Sequence, residues 1–402
     1  LGVPIFQEQV MLIAMAAADF TAGEADQLRR SMAAWKRKGG VGKFYERLVG
    51  GMLKNGYTQE FADTLFKQIE GFGEYGFPES HAASFALLVY VSCWLKRHEP
   101  ACFLAAMLNS QPLGFYGPAQ LVQDARRHGV EVRAVDVLHS AWDCTLEQPQ
   151  VHHPAANGWA LQTQPAIRLG LRMVSGLQQA VAERICAARE NGPFTSTQDL
   201  ALRCALDAGD LKALASADAL ISLSGHRRQQ VWDASALRPA PALLQGVPIE
   251  EDELALPPAD EGEEVTFDYA ATGLTLRSHP LQLLREQLSK QKLLTAAQMR
   301  DYPSGRLVRA CGIVTARQQP GTAKGVVFVT LEDETGSVNI IVWKAVKEQF
   351  RDAVYRARLM AVYGVWQRDE ATGGQVRHVI AKRVVDMTHL LGELATTSRD
   401  FH

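Results

Sequence analysis

Five runs rich in valine, isoleucine and aromatic residues lie near the end of this chain, at 307–316, 326–331, 338–343, 359–366 and 376–384. They constrain its fold more than any other feature. Turns containing glycine separate several of the runs, and a short helical pattern at 346–356 falls between the third and the fourth. Five strands with a helix in that place match an OB-fold barrel, whose exposed face binds single strands by aromatic stacking over basic residues. Arg309, Arg317, Lys324, Trp343, Lys344 and Arg368 are candidates for that face. Some aromatics must fill the barrel instead, and Phe328 is assigned to its core. The acidic turn Glu332-Asp333-Glu334-Thr335-Gly336 is unlike a phosphate site, so a protein-binding barrel stays open as an alternative.

The rest of the chain is helical in pattern, which makes the whole multidomain α+β. Amphipathic helices are expected at 6–17, 24–32, 43–53 and 59–69, with Phe61, Leu65, Phe66 and Ile69 facing inward. Between Arg29 and Lys54 there are eight basic residues against one acid, Glu46. Such a run reads either as a solvated face or as a basic clamp for polyphosphate or nucleic-acid backbone. Phe72-Gly73-Glu74-Tyr75-Gly76-Phe77-Pro78 then reads as a loop that delivers a buried apolar helix, capped by Ser80, with His81 at its N-terminus.

At 174–177, Val174-Ser175-Gly176-Leu177 precedes a helix expected over 178–190. An apolar-x-Gly-apolar turn at that place is the helix-hairpin-helix pattern, in which glycine lets backbone amides approach a DNA phosphate without reading bases. A degenerate second copy runs over 206–220 and ends in Gly225-His226-Arg227-Arg228. Five prolines and a cluster of acids mark 239–268 as a linker, and a helical pattern returns over 273–291.

The formal net charge of −2 averages a basic start and an acidic linker and says little about partners. Six scattered cysteines without a C-x-x-C pair suit free thiols in a reducing cytosol, which points to a cytoplasmic protein with neither disulfides nor a metal site in this chain. His152-His153 has no further ligands at helical spacing and reads as a surface loop. The longest apolar stretch is too short to span a bilayer, so no membrane partner is expected.

Leu28-Arg29-Arg30-Ser31-Met32, the Lys-rich turn after it, 72–81 and 90–100 together resemble the fingers domain of bacterial C-family DNA polymerases, the family of the polymerase III alpha subunit. Asn109-Ser110-Gln111-Pro112-Leu113-Gly114-Phe115-Tyr116 and Asp124-Ala125-Arg126-Arg127-His128 look closest to its error-prone, damage-induced branch. The barrel resembles the alpha subunit's OB domain, and 396–402 looks like the natural C-terminus of that branch. The resemblance implies fingers at 1–150, a helix-hairpin-helix domain at 151–235, a connector at 236–300, the OB-fold at 301–388 and a tail at 389–402. It further implies that Arg29, Arg30, Lys36, Lys38 and His81 face the triphosphate of an incoming deoxynucleotide. Primer-template DNA would meet Lys43, Arg47, the 174–177 turn, Arg309, Arg317 and Lys344.

Nucleotidyl transfer in this family needs palm carboxylates that hold two metal ions, Mg2+ in the parent enzyme. No Asp-x-Asp on a strand pattern occurs here. The resemblance places the palm before Leu1, so this chain is expected to bind DNA and nucleotide without catalysis. The linker holds no clamp-binding peptide, which implies access to the sliding clamp through accessory mutagenesis proteins. A non-catalytic DNA-binding or scaffold protein built from the same modules is the alternative.

Overall fold

The computed structural model describes residues 7–33, 44–74, 79–113, 116–149, 164–237, 254–320, 323, 325–369, 372–394, 396 and 398–401. It divides into two compact units, one of residues 1–88, 292–387 and 398–402, the other of 89–291 and 388–397.

The first unit begins with α1 (Gln7–Ala18), α2 (Ala22–Ala33), α3 (Tyr45–Lys54) and α4 (Gln59–Glu74). Their core holds Val10, Ile13, Ala14, Leu28, Met32, Leu48, Met52, Leu65 and Ile69. α3 crosses α1 closely because Gly51 has no side chain. A Cβ there would lie 2.5 Å from the Ala18 carbonyl oxygen. Phe61, expected inside, is 42% exposed; Tyr57 stacks on it at 5.7 Å, so the pair covers the bundle surface.

α5 (Glu79–His98) forms where the apolar run predicts a helix, but it is not the buried helix expected. Phe85, Leu87, Leu88, Tyr90 and Trp94 are all exposed. Ser80 lies inside α5 instead of capping it. His81 is likewise within the helix, its side chain outside the described set.

The second unit continues with α6 (Pro100–Asn109) and α7 (Pro118–Arg127), then a small sheet of β1 (Val132–Arg133), β2 (Thr145–Glu147) and β3 (Ala166–Arg168) in the order β1-β3-β2. α8 (Gln179–Glu190), α9 (Thr197–Cys204), α10 (Ala208–Ser216), α11 (Ile221–Ser224), α12 (Arg227–Ala236) and α13 (Glu261–Thr272) follow. One core runs through all of this, from Ala101 and Leu104 to Ile185, Leu214 and Leu274. Residues of 101–149 therefore share a core with the hairpin domain.

The linker expected over 239–268 is shorter than its composition implied. Asp260 caps α13, its side chain accepting from the Glu263 amide at 2.8 Å, and Glu261, Glu263 and Glu264 occupy the first turn. Acids there suit the helix dipole, so a charge cluster that read as tether is a helix start.

After α14 (Pro280–Lys290) and α15 (Ala296–Arg300) comes the barrel: β4 (Leu307–Gln318), β5 (Val327–Asp333), β6 (Gly336–Val342), β7 (Leu359–Arg368) and β8 (Arg377–Asp386). α16 (Lys344–Gln349) and α17 (Arg351–Arg356) fill the gap between β6 and β7. The sheet order β5-β6-β8-β7-β4, with β4 also pairing β5, closes the five strands on themselves. A β-bulge between Val314 and Ala316 turns β4 from one neighbour to the other. Val308, Val329, Ile340, Val362, Trp366 and Val379 are among the residues filling the interior.

A sixth strand, β9 (Arg399–Phe401), pairs in parallel with β4 at 316–318 and has no counterpart in the sequence reading. The acidic turn after β5 is structural. Asp333 Oδ1 accepts from the amides of Thr335 and Gly336, and Oδ2 from the Ala296 amide at 2.7 Å.

Candidate nucleic-acid interface

In the bundle, Arg29 and Arg30 share one acid. Arg29 Nη2 lies 2.8 Å and Arg30 Nε 2.9 Å from the Asp26 carboxylate. Two cations on one carboxylate leave a net positive face, and Arg30 points to solvent with 62% of its side chain exposed. Lys36, Lys38 and Lys43 lie outside the described residues.

Arg47 is 42% exposed at its side chain, yet its guanidinium is engaged by the chain itself. Its Nη1 donates to the Ala18 carbonyl at 2.8 Å, Nη2 to that of Asp19 at 2.9 Å, and Nε to Glu24 at 3.1 Å. The guanidinium also sits 4.6 Å from the centroid of the Phe20 ring. The bond from Arg47, ahead of the Thr21 amide, holds the Glu24 carboxyl down at about 2. This pairing stabilises the corner above the ordinary carboxylate range and is lost only as pH falls toward 2. Arg47 thus clamps the α1–α2 turn from the surface of the bundle.

The hairpin at 174–177 takes the form its residues predict. A 3-10 turn, Leu171–Met173, leads into it, and Val174 and Leu177 are buried as anchors. Ser175 and Gly176 between them are exposed. Gly176 adopts φ +83°, which a side chain disfavours, and nothing lies within 4 Å of where a Cβ would stand. The Ser175 amide donates to the Ala271 carbonyl at 2.8 Å. The Gly176 amide has no partner among the described residues.

α8 then starts from Gln178, which has extended backbone and gives no side-chain cap. The amides of Gln179 and Ala180 have no partner among the described residues, that of Val181 donates to the Gln178 carbonyl at 3.0 Å, and the helix dipole adds positive potential at the same point. A groove of about 580 Å³ borders this turn, lined by Ser175, Gly176, Gln178, Lys212 and Phe267 among others. Asp207 and Asp210 on its far wall are bound to each other's backbone as the capping box of α10.

A second Ser-Gly turn, Ser224-Gly225, precedes α12, and Gly225 has φ +71°. Here the chain fills its own site. His226 caps α12, Nδ1 accepting from the Gln229 amide at 3.3 Å while Nε2 faces the Leu256 carbonyl at 2.8 Å. Gly225 donates to Ile221 and accepts from Gln230.

The basic pair after this turn is also engaged. Arg228 bonds Glu263 at 2.6 Å. Arg227, only 3% exposed, meets Glu264 at 2.7 Å and Asp268. Arg277 joins the same cluster through Asp218 and Glu264. Burial pushes the Asp218 and Glu264 carboxyls up, and the two guanidiniums pull them back.

On the barrel the expected residues separate. Phe328, assigned to the core, points outward on β5 with 38% exposure and pairs with Ile341 of β6 on the same face. The alternation of β5 puts its neighbours Val327 and Val329 inside, a register that its apolar composition concealed. Trp343 is 53% exposed beside Lys344 at the start of α16. Lys344 and Lys347 both approach Gly325, on the loop before β5.

Arg317 is corrected outright as a DNA contact. It is 5% exposed; Nε donates to the Val354 carbonyl at 2.8 Å, Nη2 to that of Ala357, and Nη1 to Ser398 Oγ at 2.5 Å. Its guanidinium fastens β9 to the barrel.

Among the described residues no group of three His, Cys, Asp or Glu side chains is placed to hold a metal ion. All six cysteines are free, with Cys93 exposed. No described helix is long and apolar enough to cross a membrane.

An open helix start and an outward aromatic on a closed five-stranded barrel are features that suit the handling of nucleic acid. Three family signatures match in the same order: the bacterial DNA polymerase III alpha subunit finger domain over residues 1–56, a helix-hairpin-helix motif over 129–230, and an OB-fold nucleic acid binding domain over 308–385. The chain is in this way similar to the bacterial DNA polymerase III alpha subunit in its finger domain, with two nucleic-acid modules matched after it.

Three of the proteins it is similar to carry the same name. Over its whole length it is 56% identical to an error-prone DNA polymerase of Burkholderia pseudomallei, 54% to one of Alkalilimnicola ehrlichii and 55% to one of Bordetella parapertussis. It spans 37–38% of the length of these relatives.

Proposed function

We propose that this chain is the DNA-holding and nucleotide-facing portion of an error-prone DNA polymerase that acts in the cytoplasm in damage-induced mutagenesis and translesion synthesis. The observation that carries the reading is the Gly176 turn: an exposed amide without an internal partner, at an uncapped helix start, inside the stretch that matches the helix-hairpin-helix motif. Such a turn takes one phosphate of a duplex backbone and ignores sequence, as a polymerase requires.

In this reading Arg29 and Arg30, with Lys36, Lys38 and His81, meet the triphosphate of the incoming deoxynucleotide. The outer face of β5 and β6 receives single-stranded template against Phe328 and Ile341, with Trp343, Lys344 and Lys347 at its edge. Catalysis belongs to carboxylates elsewhere in the parent enzyme, which hold divalent ions, Mg2+ in the ordinary case. Accessory mutagenesis proteins would bring that enzyme to the sliding clamp.

Binding of this chain to a fluorescent primer-template across a salt series tests the proposal. Affinity should fall steeply with salt, and Gly176→Glu should weaken it at every salt concentration. Salt-insensitive or absent binding would move the reading to a scaffold that acts through proteins.

A further inference from the structure

The barrel carries a second constellation on the face made by β4, β7 and β8, apart from the β5–β6 surface. Arg309 of β4 pairs with Tyr363 of β7, and Tyr363 pairs in turn with Arg383 of β8. Directly opposed residues share a face, so one tyrosine ring stands between two guanidiniums. Each guanidinium carbon lies 5.5 Å from the ring centroid, within cation–π range.

Both arginines are exposed and the ring is half-buried. A register shift after Tyr363 adds Lys382, also exposed, beside Arg383. Leu307, Val365 and Ile380, the next residues on this face, carry no charge. Arg383 has no ion-pair partner among the described residues. Arg383 and Lys382, adjacent and exposed, put two positive charges side by side at one end of this face, which favours an anion there.

We propose that Arg309, Tyr363 and Arg383, with Lys382, form a track for the phosphate backbone of single-stranded DNA. The two arginines lie two strand spacings apart, about 10 Å, enough to engage separate phosphates. Val365 and the open edge of Tyr363 give an apolar rest for a base between them. The barrel then holds a strand on two faces, one by stacking near Phe328 and one by charge here. This inference rests on the reading of the barrel as a nucleic-acid module.

The test is fluorescence anisotropy of an oligo(dT) 15-mer with the full 402-residue chain over a salt series. Arg309→Ser/Arg383→Ser should lower affinity about tenfold and reduce the slope of log K against log salt by about 1.4, two contacts' worth for single strands. Arg309→Lys/Arg383→Lys should keep the slope, because the charge remains. If the double serine variant melts early in circular dichroism, Arg383→Gln alone should reduce the slope by about 0.7.

Unchanged affinity and slope in folded serine or Gln variants would overturn the track. Loss on Phe328→Ala in that case would leave the proposed function standing on the other face. An unsubstituted chain that binds duplex but no oligo(dT) would overturn the track and the single-strand reading of the β5–β6 face, and would leave the duplex reading of the Gly176 turn standing. A chain that binds neither would overturn both readings.

Discussion

Two turns of nearly the same sequence, Val174-Ser175-Gly176-Leu177 and Leu223-Ser224-Gly225-His226, introduce α8 and α12 with glycine at positive φ. The first is left open, with an uncapped helix start and an amide that meets no partner. The second is closed by the His226 cap, and Arg227 after it is turned inward. A glycine in the left-handed region makes an anion site possible. Whether the site exists depends on what the next side chain does with the helix's first amides.

The largest effect should come from the closed turn and should concern stability. Arg227→Ala leaves Glu264 and Asp268 with only the part-exposed Arg277 as counterion, and chemical denaturation should register a loss of about 3 kcal/mol. A small loss would mean that Arg227 is spare and the second turn less committed to the fold than its geometry implies. Next, Gly176→Glu should lower duplex affinity by about 10–100-fold, at about 1 kcal/mol of backbone strain, whereas Gly225→Glu should stay within about twofold. Equal losses from the two would break the comparison.

A subtler change sharpens it. Gln178→Asp supplies the cap that α8 lacks, so stability should rise by about 0.5–1 kcal/mol while duplex affinity falls about fivefold. If affinity held, the open amides of α8 would not be the contact. Smallest of all, Arg228→Ala removes an exposed pair with Glu263 and should change stability by less than about 1 kcal/mol, with no change in the salt slope of duplex binding.

The 174–177 turn was legible because its chemistry is local: four residues define anchors, glycine and helix start. The barrel strands were legible for the same kind of reason, since period-two alternation survives in any context. Arg317 was not, because its partners are carbonyls of 354 and 357 and a serine at 398. A basic residue on a strand looks the same whether it faces water or a distant loop. Phe328 failed the other way, since its side of the sheet follows from pairing with Ile341 and not from hydrophobicity. α5 was legible as a helix and not as exposed, since burial depends on what packs against it. The second hairpin was read over 206–220 with its end at Gly225-His226-Arg227-Arg228, and Gly225 does take a left-handed turn there; an alanine, Ala205, takes the left-handed position at the earlier junction.

The cluster of Arg227, Arg277, Asp218, Glu264 and Asp268 has a practical consequence. Counterions reach exposed phosphate contacts within a Debye length of about 8 Å at physiological ionic strength, but they screen buried pairs far less. Raising salt should therefore strip nucleic acid from the open turn while the frame behind it stays joined. Ionic strength then acts as a release lever for the ligand that leaves the receptor folded, and the DNA can be taken off and put back on the same molecules.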